Sequence, residues 1–236
     1  MPRSIRASNS SKGVQNVEKL KKSQALKKFL RNKKAAFGLT IVLLLVLIVI
    51  FLPVVMKLDP YTTDRLAGFN AKPSAEHIFG TDDVGRDLFA RVLYGGRVSL
   101  FVGMASTVIS VAIGIPLGLI AGYFRGIAES IIMRTADAFM SFPSMVLILV
   151  LVAVFGPSIL TVTVVIGVLG WTSIAKLIYG NVLSIRECEY VQAAKAVGTR
   201  TSKILFSEVL PNAITPVWAN ISFRIAGAVL TESSLS

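Results

Sequence analysis

The residues of this sequence that could do chemistry are few and widely separated. The chain has one histidine, His77, one cysteine, Cys188, and an arginine, Arg224, inside an apolar stretch. A single cysteine excludes an internal disulfide, and one histidine without neighbouring cysteines does not make a metal site. The sequence also lacks the G-x-x-x-x-G-K-[ST], H-E-x-x-H and G-x-S-x-G patterns of nucleotide-binding proteins, metalloproteases and serine hydrolases. We therefore predict that the protein is not an enzyme and that this chain holds no metal or cofactor.

The composition is that of a membrane protein. Hydrophobic residues make up 53% of the chain, charged residues 16%, and the mean hydropathy is +0.69. Residues 35–56 are 22 residues without a charge, and at about 1.5 Å per residue they can cross a bilayer as a helix. A secretory signal has a shorter apolar region nearer the start. We interpret residues 35–56 as a retained first transmembrane helix of an all-α, polytopic bundle.

The second predicted span, residues 98–124, carries small residues at a regular spacing. Gly114, Gly118 and Gly122 recur every four residues, so they fall on one face of a helix. Small residues in this arrangement allow the backbone of another helix to approach closely. We therefore predict close helix packing along this face, rather than a flexible helix without a packing partner.

Three further spans are predicted downstream. A run of 38 uncharged residues begins after Asp137 and contains a Gly-Pro pair, so it holds parts of two spans. We expect the third span to begin near Ser130 and the fourth to cover residues 158–176. Arg134 then lies one turn before Asp137, where the two side chains can pair. The fifth predicted span is residues 214–231.

The charge distribution predicts the orientation. The net charge is +12, and residues 1–34 hold eleven Lys or Arg against one acidic residue. A basic tail beside an apolar span favours a cytoplasmic location next to anionic lipid, and without interleaved aromatic residues it does not favour nucleic acid. Residues 57–97 hold six basic and six acidic residues and are expected to be extracytoplasmic. Counting spans then places residues 177–213 in the cytoplasm.

That cytoplasmic loop carries a recognisable pattern. Residues 192–198 read QAAKAVG, and residues 209–212 read VLPN. The alanines favour helix with little bulk, Gly198 can turn the chain, and residues 199–210 are predicted to form a second short helix that Pro211 ends. The alternative is a solvated amphipathic loop on the membrane surface, which the combination of turn, spacing and proline disfavours.

The loop resembles the coupling loop, or EAA motif, of permease subunits of ABC importers, which inserts into a groove on the ATPase subunit. It departs from that motif at Gln192, where Glu is usual, and at Glu208, where an aliphatic residue is usual. The resemblance implies that the ATPase-docking residues are Gln192, Ala193, Ala194, Gly198, Leu210 and Pro211.

A second resemblance is more specific. Residues 77–87 read HIFGTDDVGRD and residues 94–100 read YGGRVSL. They resemble the segment before the second helix in the C-type permeases of bacterial dipeptide, oligopeptide and nickel ABC importers. We expect a mainly structural external gate segment, in which glycines make turns and Asp83 joins the other charged residues in an ion-pair and capping network. Its residues are Gly80, Thr81, Asp82, Gly85, Arg86 and Asp87.

This resemblance implies a type I importer permease with six helices, of which at least five are visible and the sixth is apparently missing. It also implies a permease core over residues 98–236 in a bacterial inner membrane. The implied partners are a second permease, one or two ATPase subunits that hold ATP and magnesium, and an external solute-binding protein. Peptide and nickel remain open as substrates. An ion-coupled secondary transporter is the less favoured alternative, because spans one, two and four contain no acidic residue.

Within this framework Arg224 has two interpretations. A charge inside a membrane span is costly and usually faces a cavity or a partner. Arg224 could line the translocation path and attract a peptide carboxylate. Alternatively it pairs with Asp137 or Glu232, or its side chain reaches toward the membrane interface.

Overall fold

The computed structural model describes residues 31–64 and 68–235, and within these ranges the fold is helical, as predicted. The described residues contain two isolated β-bridges, Thr63 with Arg86 and Thr81 with Asp87. Most of the predicted basic tail lies outside the described residues. The helices are α1 (Lys33–Val55), α2 (Leu88–Phe124), α3 (Gly126–Met140), α4 (Ser144–Phe155), α5 (Ile159–Arg186), α6 (Glu189–Ala196), α7 (Thr201–Lys203), a π-helix (Ile204–Val209), α8 (Leu210–Ala213) and α9 (Thr215–Leu235).

Three of the described helices, α1, α2 and α5, are long and apolar enough to cross a membrane. Two further candidates are bent pairs. Helices α3 and α4 meet at 87°, and the run Thr201–Ala213 meets α9 at 54°. The number of spans rises to five if each bent pair counts as one, which is the number that the apolar pattern predicts.

The chain divides into two compact units, Met1–Tyr94 and Gly95–Ser236. The N-terminal unit contains α1, the segment that follows it and the first turns of α2. The C-terminal unit contains the rest of α2 and all later helices, and it holds most of the buried apolar side chains.

In the C-terminal unit, the glycine face of α2 packs directly against α5. A Cβ atom added at Gly114, Gly118 or Gly122 would lie 2.7–2.8 Å from the Cβ atoms of Ile174, Ile178 and Val182, respectively. Such distances are shorter than real carbon–carbon contacts, so only glycine permits this approach. The close packing predicted from the glycine spacing is therefore confirmed.

The third predicted span, expected as a helix from about Ser130, is broken into two helices in the structure. Helix α3 ends at Met140, and α4 begins at Ser144 after a short break. Pro143 lies in that break, has no N–H to continue the helical hydrogen bonds, and disfavours helical backbone at Phe142 before it. The backbone N–H of Leu147 then donates to the Pro143 carbonyl at 3.2 Å and starts α4 in a new direction.

Other helix bounds differ from the apolar runs for a simple reason. Helix α2 begins at Leu88 rather than at residue 98, and α5 continues to Arg186 rather than ending at Lys176. The apolar pattern marks where hydrocarbon can surround a helix, whereas Arg and Lys are themselves good helix formers. Helices therefore extend beyond the uncharged runs.

Candidate functional site

The predicted turn of the cytoplasmic loop is present in the structure. We define residues 189–213 as the helical loop. Helix α6 is followed, after Val197, by a left-handed residue, Gly198, with φ of 75°. The N–H of Gly198 donates to the Lys195 carbonyl and that of Thr199 to the Ala194 carbonyl, each at 3.0 Å. This satisfies the last carbonyls of α6 in the manner of a glycine C-cap.

The second half of the helical loop differs from the prediction. Pro211 does not end the helix, which continues to Ala213. The preceding residues, Ile204–Val209, form a π-helix, in which the N–H of Leu210 donates to the Leu205 carbonyl. Proline cannot donate an N–H, and the wider π turn lets it enter the helix without a clash with the preceding turn.

The helical loop packs one face onto the end of α5 and leaves the other exposed. Its buried side chains join a cluster with those of α5 and α9; they are Val191, Ile204, Leu205, Val209 and Ala213. Ala194 and Leu210 are half-buried and pack against this cluster. The outer face presents Gln192, Ala193, Gly198 and Pro211.

Two large apolar side chains of the helical loop are also exposed. Val197 is 80% exposed and Phe206 is 65% exposed. The small residues Ala193 and Ala196 lie nearby on α6 and are exposed as well. Val197 and Phe206 therefore give the helical loop exposed apolar area. The sequence pattern did not single out Phe206, because one exposed phenylalanine has no signal in a linear pattern.

The helical loop is also tied to the end of α2. The Gln192 side chain donates to the Arg186 carbonyl at 2.9 Å. The Arg186 guanidinium donates in turn to the carbonyls of Gly122 and Tyr123, at 3.4 and 3.2 Å. The Lys195 ammonium lies 5.1 Å from the centre of the Tyr123 ring, within range of a cation–π interaction. These contacts join α6 to the ends of both α2 and α5.

The second candidate site is the interhelical segment, residues 56–87, in the N-terminal unit. Asp82 accepts hydrogen bonds at 2.9 Å from the N–H groups of Val84 and Arg86 and from the Arg86 side chain, and it also pairs with Arg91. Burial raises the pKa of Asp82, but these hydrogen bonds outweigh it and hold the pKa well below its usual range. The carboxylate stays ionised and holds the turn together.

The other residues predicted in this segment also have structural contacts. Gly80 and Gly85 have positive φ angles of 78° and 80°. Thr81 is buried and donates to the Gly68 carbonyl at 2.8 Å. Asp87 accepts from the N–H of Ala90 at 2.7 Å and so caps the start of α2. Asp83 was expected to join this network. Among the described residues it is exposed and makes no hydrogen bond or ion pair with the network.

The interhelical segment also contains an arrangement that the sequence did not indicate. His77 Nδ1 donates to Asp87 at 2.8 Å, and Nε2 lies 3.3 Å from the Asp64 carboxylate. The hydrogen bond to Asp87 raises the pKa of His77 above its usual value of 6.5. Partial burial lowers this pKa by less, and Asp64 adds to the rise. Residues 31–64 and 68–235 contain no group of three or more His, Cys, Asp or Glu arranged to hold a metal ion.

We expect the His77 contacts to make the interhelical segment more stable at low pH. A raised folded pKa contributes stability that is fully present below the unfolded value of about 6.5 and is lost as the pH rises through the folded value. Hydrogen–deuterium exchange of residues 77–87 at about pH 6 and pH 8.5, corrected for intrinsic exchange, should show greater opening at the higher pH.

His77→Gln should remove most of that pH dependence, and Glu76→Gln, at an exposed neighbouring carboxylate, should leave it intact. The same pH dependence in wild type and His77→Gln would contradict this assignment.

The third candidate site surrounds Arg224. Arg224 lies in α9 and donates from Nη2 to the Ser110 hydroxyl of α2 at 3.1 Å. Ser110 is buried and lies 2.8 Å from the Gly167 carbonyl of α5, to which its hydroxyl donates. A Cβ added at Gly170 would collide with both Arg224 Nη2 and Ser110 Oγ. The guanidinium therefore lies directly against the α5 backbone.

The ion pairs considered for Arg224 do not form within the described residues. Asp137 pairs with Lys176 of α5 rather than with Arg224 or Arg134. Glu232 is buried and accepts from the Ser99 hydroxyl at 2.6 Å. Arg224 Nε is buried and has no hydrogen-bond partner among the described residues.

Arg224 also lines a cavity of about 380 Å³ in the C-terminal unit. Its walls come from α3, α4, α5 and α9 and combine aromatic with hydroxyl side chains. The lining includes Phe139, Phe142, Thr172, Ser173 and Thr231. Cavities of roughly 300–1,000 Å³ with mostly apolar walls and a few polar groups are typical of small-molecule sites.

Comparison with known proteins agrees with both resemblances. Residues 23–73 match the N-terminal transmembrane domain of oligopeptide transport permease C. Residues 114–236 match the binding-protein-dependent transport system inner membrane component family.

Relatives match along most of the chain. The oligopeptide transport system permease protein OppC of Bacillus subtilis is 36% identical over 212 residues, which are 90% of this chain and 69% of the relative. The dipeptide transport system permease protein DppC of Alkalihalophilus pseudofirmus is 37% identical over 215 residues, 90% of this chain and 69% of that protein. The glutathione transport system permease protein GsiD of Pectobacterium atrosepticum is 35% identical over 213 residues, covering 89% and 70%. The chain therefore belongs to the binding-protein-dependent transport system inner membrane component family and is a membrane permease subunit.

Proposed function

We propose that this chain forms half of the translocation path of an ATP-driven peptide importer. The observation that carries the proposal is the helical loop, which has a packed inner face, a glycine-capped turn and an outer face of small and exposed apolar residues. Peptide rather than nickel is supported by the relatives, which are named as oligopeptide, dipeptide and glutathione permeases.

The proposed partners follow from this assignment. The outer face of the helical loop docks into an ATPase subunit that holds ATP and magnesium. A second permease completes the path, and an external binding protein delivers the peptide. One or two ATPase subunits are expected in the assembly.

The contacts of the helical loop support a route for coupling. Closure of the ATPases would displace α6, and the contacts of Arg186 and Lys195 with the end of α2 would pass that displacement on. Because α2 and α5 pack backbone to backbone along the glycine face, they would move as one body. Rocking of such a body between inward-facing and outward-facing states is an alternating-access scheme.

The deciding experiment is peptide uptake into proteoliposomes that contain this chain, its co-purified partners and the external binding protein. We expect ATP-dependent accumulation of a radiolabelled tripeptide. A partner ATPase that cannot hydrolyse ATP is the control and should abolish uptake. Accumulation that continues with the inactive ATPase, driven by an ion gradient, would overturn the proposal in favour of a secondary transporter.

We further propose a bacterial inner-membrane location in which residues 31–34 and the helical loop are cytoplasmic and the interhelical segment is external. The eleven basic residues of the tail against a neutral interhelical segment support this orientation. Ala75 is exposed. In a Cys188→Ser background, the cysteine of Ala75→Cys should therefore react with a membrane-impermeant maleimide added to spheroplasts. Reaction only in inverted vesicles would contradict the proposed orientation.

A further inference from the structure

We propose that Arg224 binds the carboxylate of the transported substrate, within the cavity lined by α3, α4, α5 and α9. This inference rests on the proposed function, because it assigns the substrate group that the path recognises.

The depth of Arg224 makes its charge significant. Arg224 is near the middle of α9, about 14 Å along the helix axis from Thr215 at a rise of roughly 1.5 Å per residue. Its contacts, Ser110 of α2 and Gly170 of α5, also lie within long apolar helices. The side chain therefore points into the bundle, where a charge without a counter-charge is costly.

The local contacts leave that charge unbalanced. Ser110 is neutral and occupies one hydrogen-bonding position of the guanidinium, whereas Arg carries five N–H donors. Asp137 is paired with Lys176, and Arg224 forms no ion pair within the described residues. An anion in the cavity would supply the missing counter-charge.

The chemistry of the cavity favours a short peptide that ends in a carboxylate. Guanidinium and carboxylate groups match in geometry and form charge-assisted hydrogen bonds. The hydroxyls of Thr172, Ser173 and Thr231 offer further hydrogen-bonding groups, and Phe139 and Phe142 supply apolar wall. Amide groups and small side chains of a peptide suit such a mixture.

Gly170 and Ser110 act as positioning residues. The absence of a side chain at Gly170 leaves the space that the guanidinium occupies, and the Ser110 hydroxyl orients Nη2. Gly170→Ala retains the positive charge but displaces it. It should therefore weaken carboxylate recognition without removing the cation.

The test uses the purified complex of this chain with its second permease and ATPase subunits, without the external binding protein. Calorimetry should show that wild type binds trialanine about tenfold or more tightly than trialanine amide, as expected for one charge-assisted contact. Arg224→Gln should bind the two peptides equally, and Gly170→Ala should show a reduced preference. Arg224→Lys keeps the positive charge and should retain part of the preference. This variant keeps the test decisive if Arg224→Gln does not fold.

The matched control is Arg134→Gln, an exposed arginine on α3, which should keep the full preference. Equal binding of acid and amide by wild type, or a preference that survives in folded Arg224→Gln, would overturn the carboxylate assignment. ATP-driven uptake of trialanine by the wild-type transporter tests the proposed function separately. Uptake without a binding preference overturns only the carboxylate site, whereas a preference without ATP-driven uptake overturns only the importer assignment.

Discussion

Replacing Ala193 with arginine is expected to release the ATPase subunit while leaving this chain folded. Ala193 lies on the exposed face of α6, and its side chain takes no part in the buried cluster. The long, charged side chain would occupy the space into which the ATPase groove must approach. Loss of a central contact in a protein interface costs about 2 kcal/mol or more, which corresponds to roughly 30-fold in affinity.

Gly198→Val should have a comparable effect by another mechanism. Gly198 has a φ of 75°, where a β-branched residue is strained. The substitution would open the turn and change the angle between α6 and the π-helix. Both variants should bind the ATPase weakly in a pull-down and lose ATP-driven uptake.

Two comparisons make this test specific. Ala75→Arg introduces the same side chain on the interhelical segment, which the proposed topology places outside the cell, and it should bind the ATPase like wild type. Ala194→Arg should lower the thermal stability of the chain itself, because Ala194 packs against the cluster beneath the loop. Wild-type ATPase binding by both Ala193→Arg and Gly198→Val would show that the helical loop is not the docking site.

Replacing Gly118 with valine is expected to prevent α2 and α5 from packing. A Cβ at this position would lie 2.8 Å from the Ile178 Cβ, and it would also press against the Ala175 carbonyl of the α5 backbone. Neither neighbour is the end of a flexible side chain, so the helices must separate and expose the contacts at Gly114 and Gly122. Overpacking against backbone falls at the upper end of the usual range, about 3 kcal/mol, which lowers the melting temperature by roughly 6–12 °C.

The matched control for this variant is Gly180→Val. Gly180 also lies in α5, but a Cβ there would meet nothing within 4 Å. We expect the purified Gly180→Val chain to unfold at the wild-type temperature and Gly118→Val to unfold much earlier or to aggregate. Equal melting temperatures for the two variants would contradict the backbone contact between α2 and α5.

Features that depend on neighbours along the chain could be derived from the sequence alone. The apolar runs identified a helical membrane protein, because a bilayer requires long uncharged helices. The spacing of Gly114, Gly118 and Gly122 indicated a packed face, because helical periodicity places residues four apart on one side. Gly198 indicated the turn of the helical loop, because glycine adopts positive φ readily.

Features that depend on how separate elements pack were decided only by the tertiary structure. Ser110 and Arg224 are 114 residues apart, and their contact exists because α2, α5 and α9 present particular faces to one another. The pairing of His77 with both Asp64 and Asp87 depends on the fold of the interhelical segment. Lys176 rather than Arg134 pairs with Asp137 because α3 packs against α5. Residue types show which groups can bind, but only packing selects which groups meet.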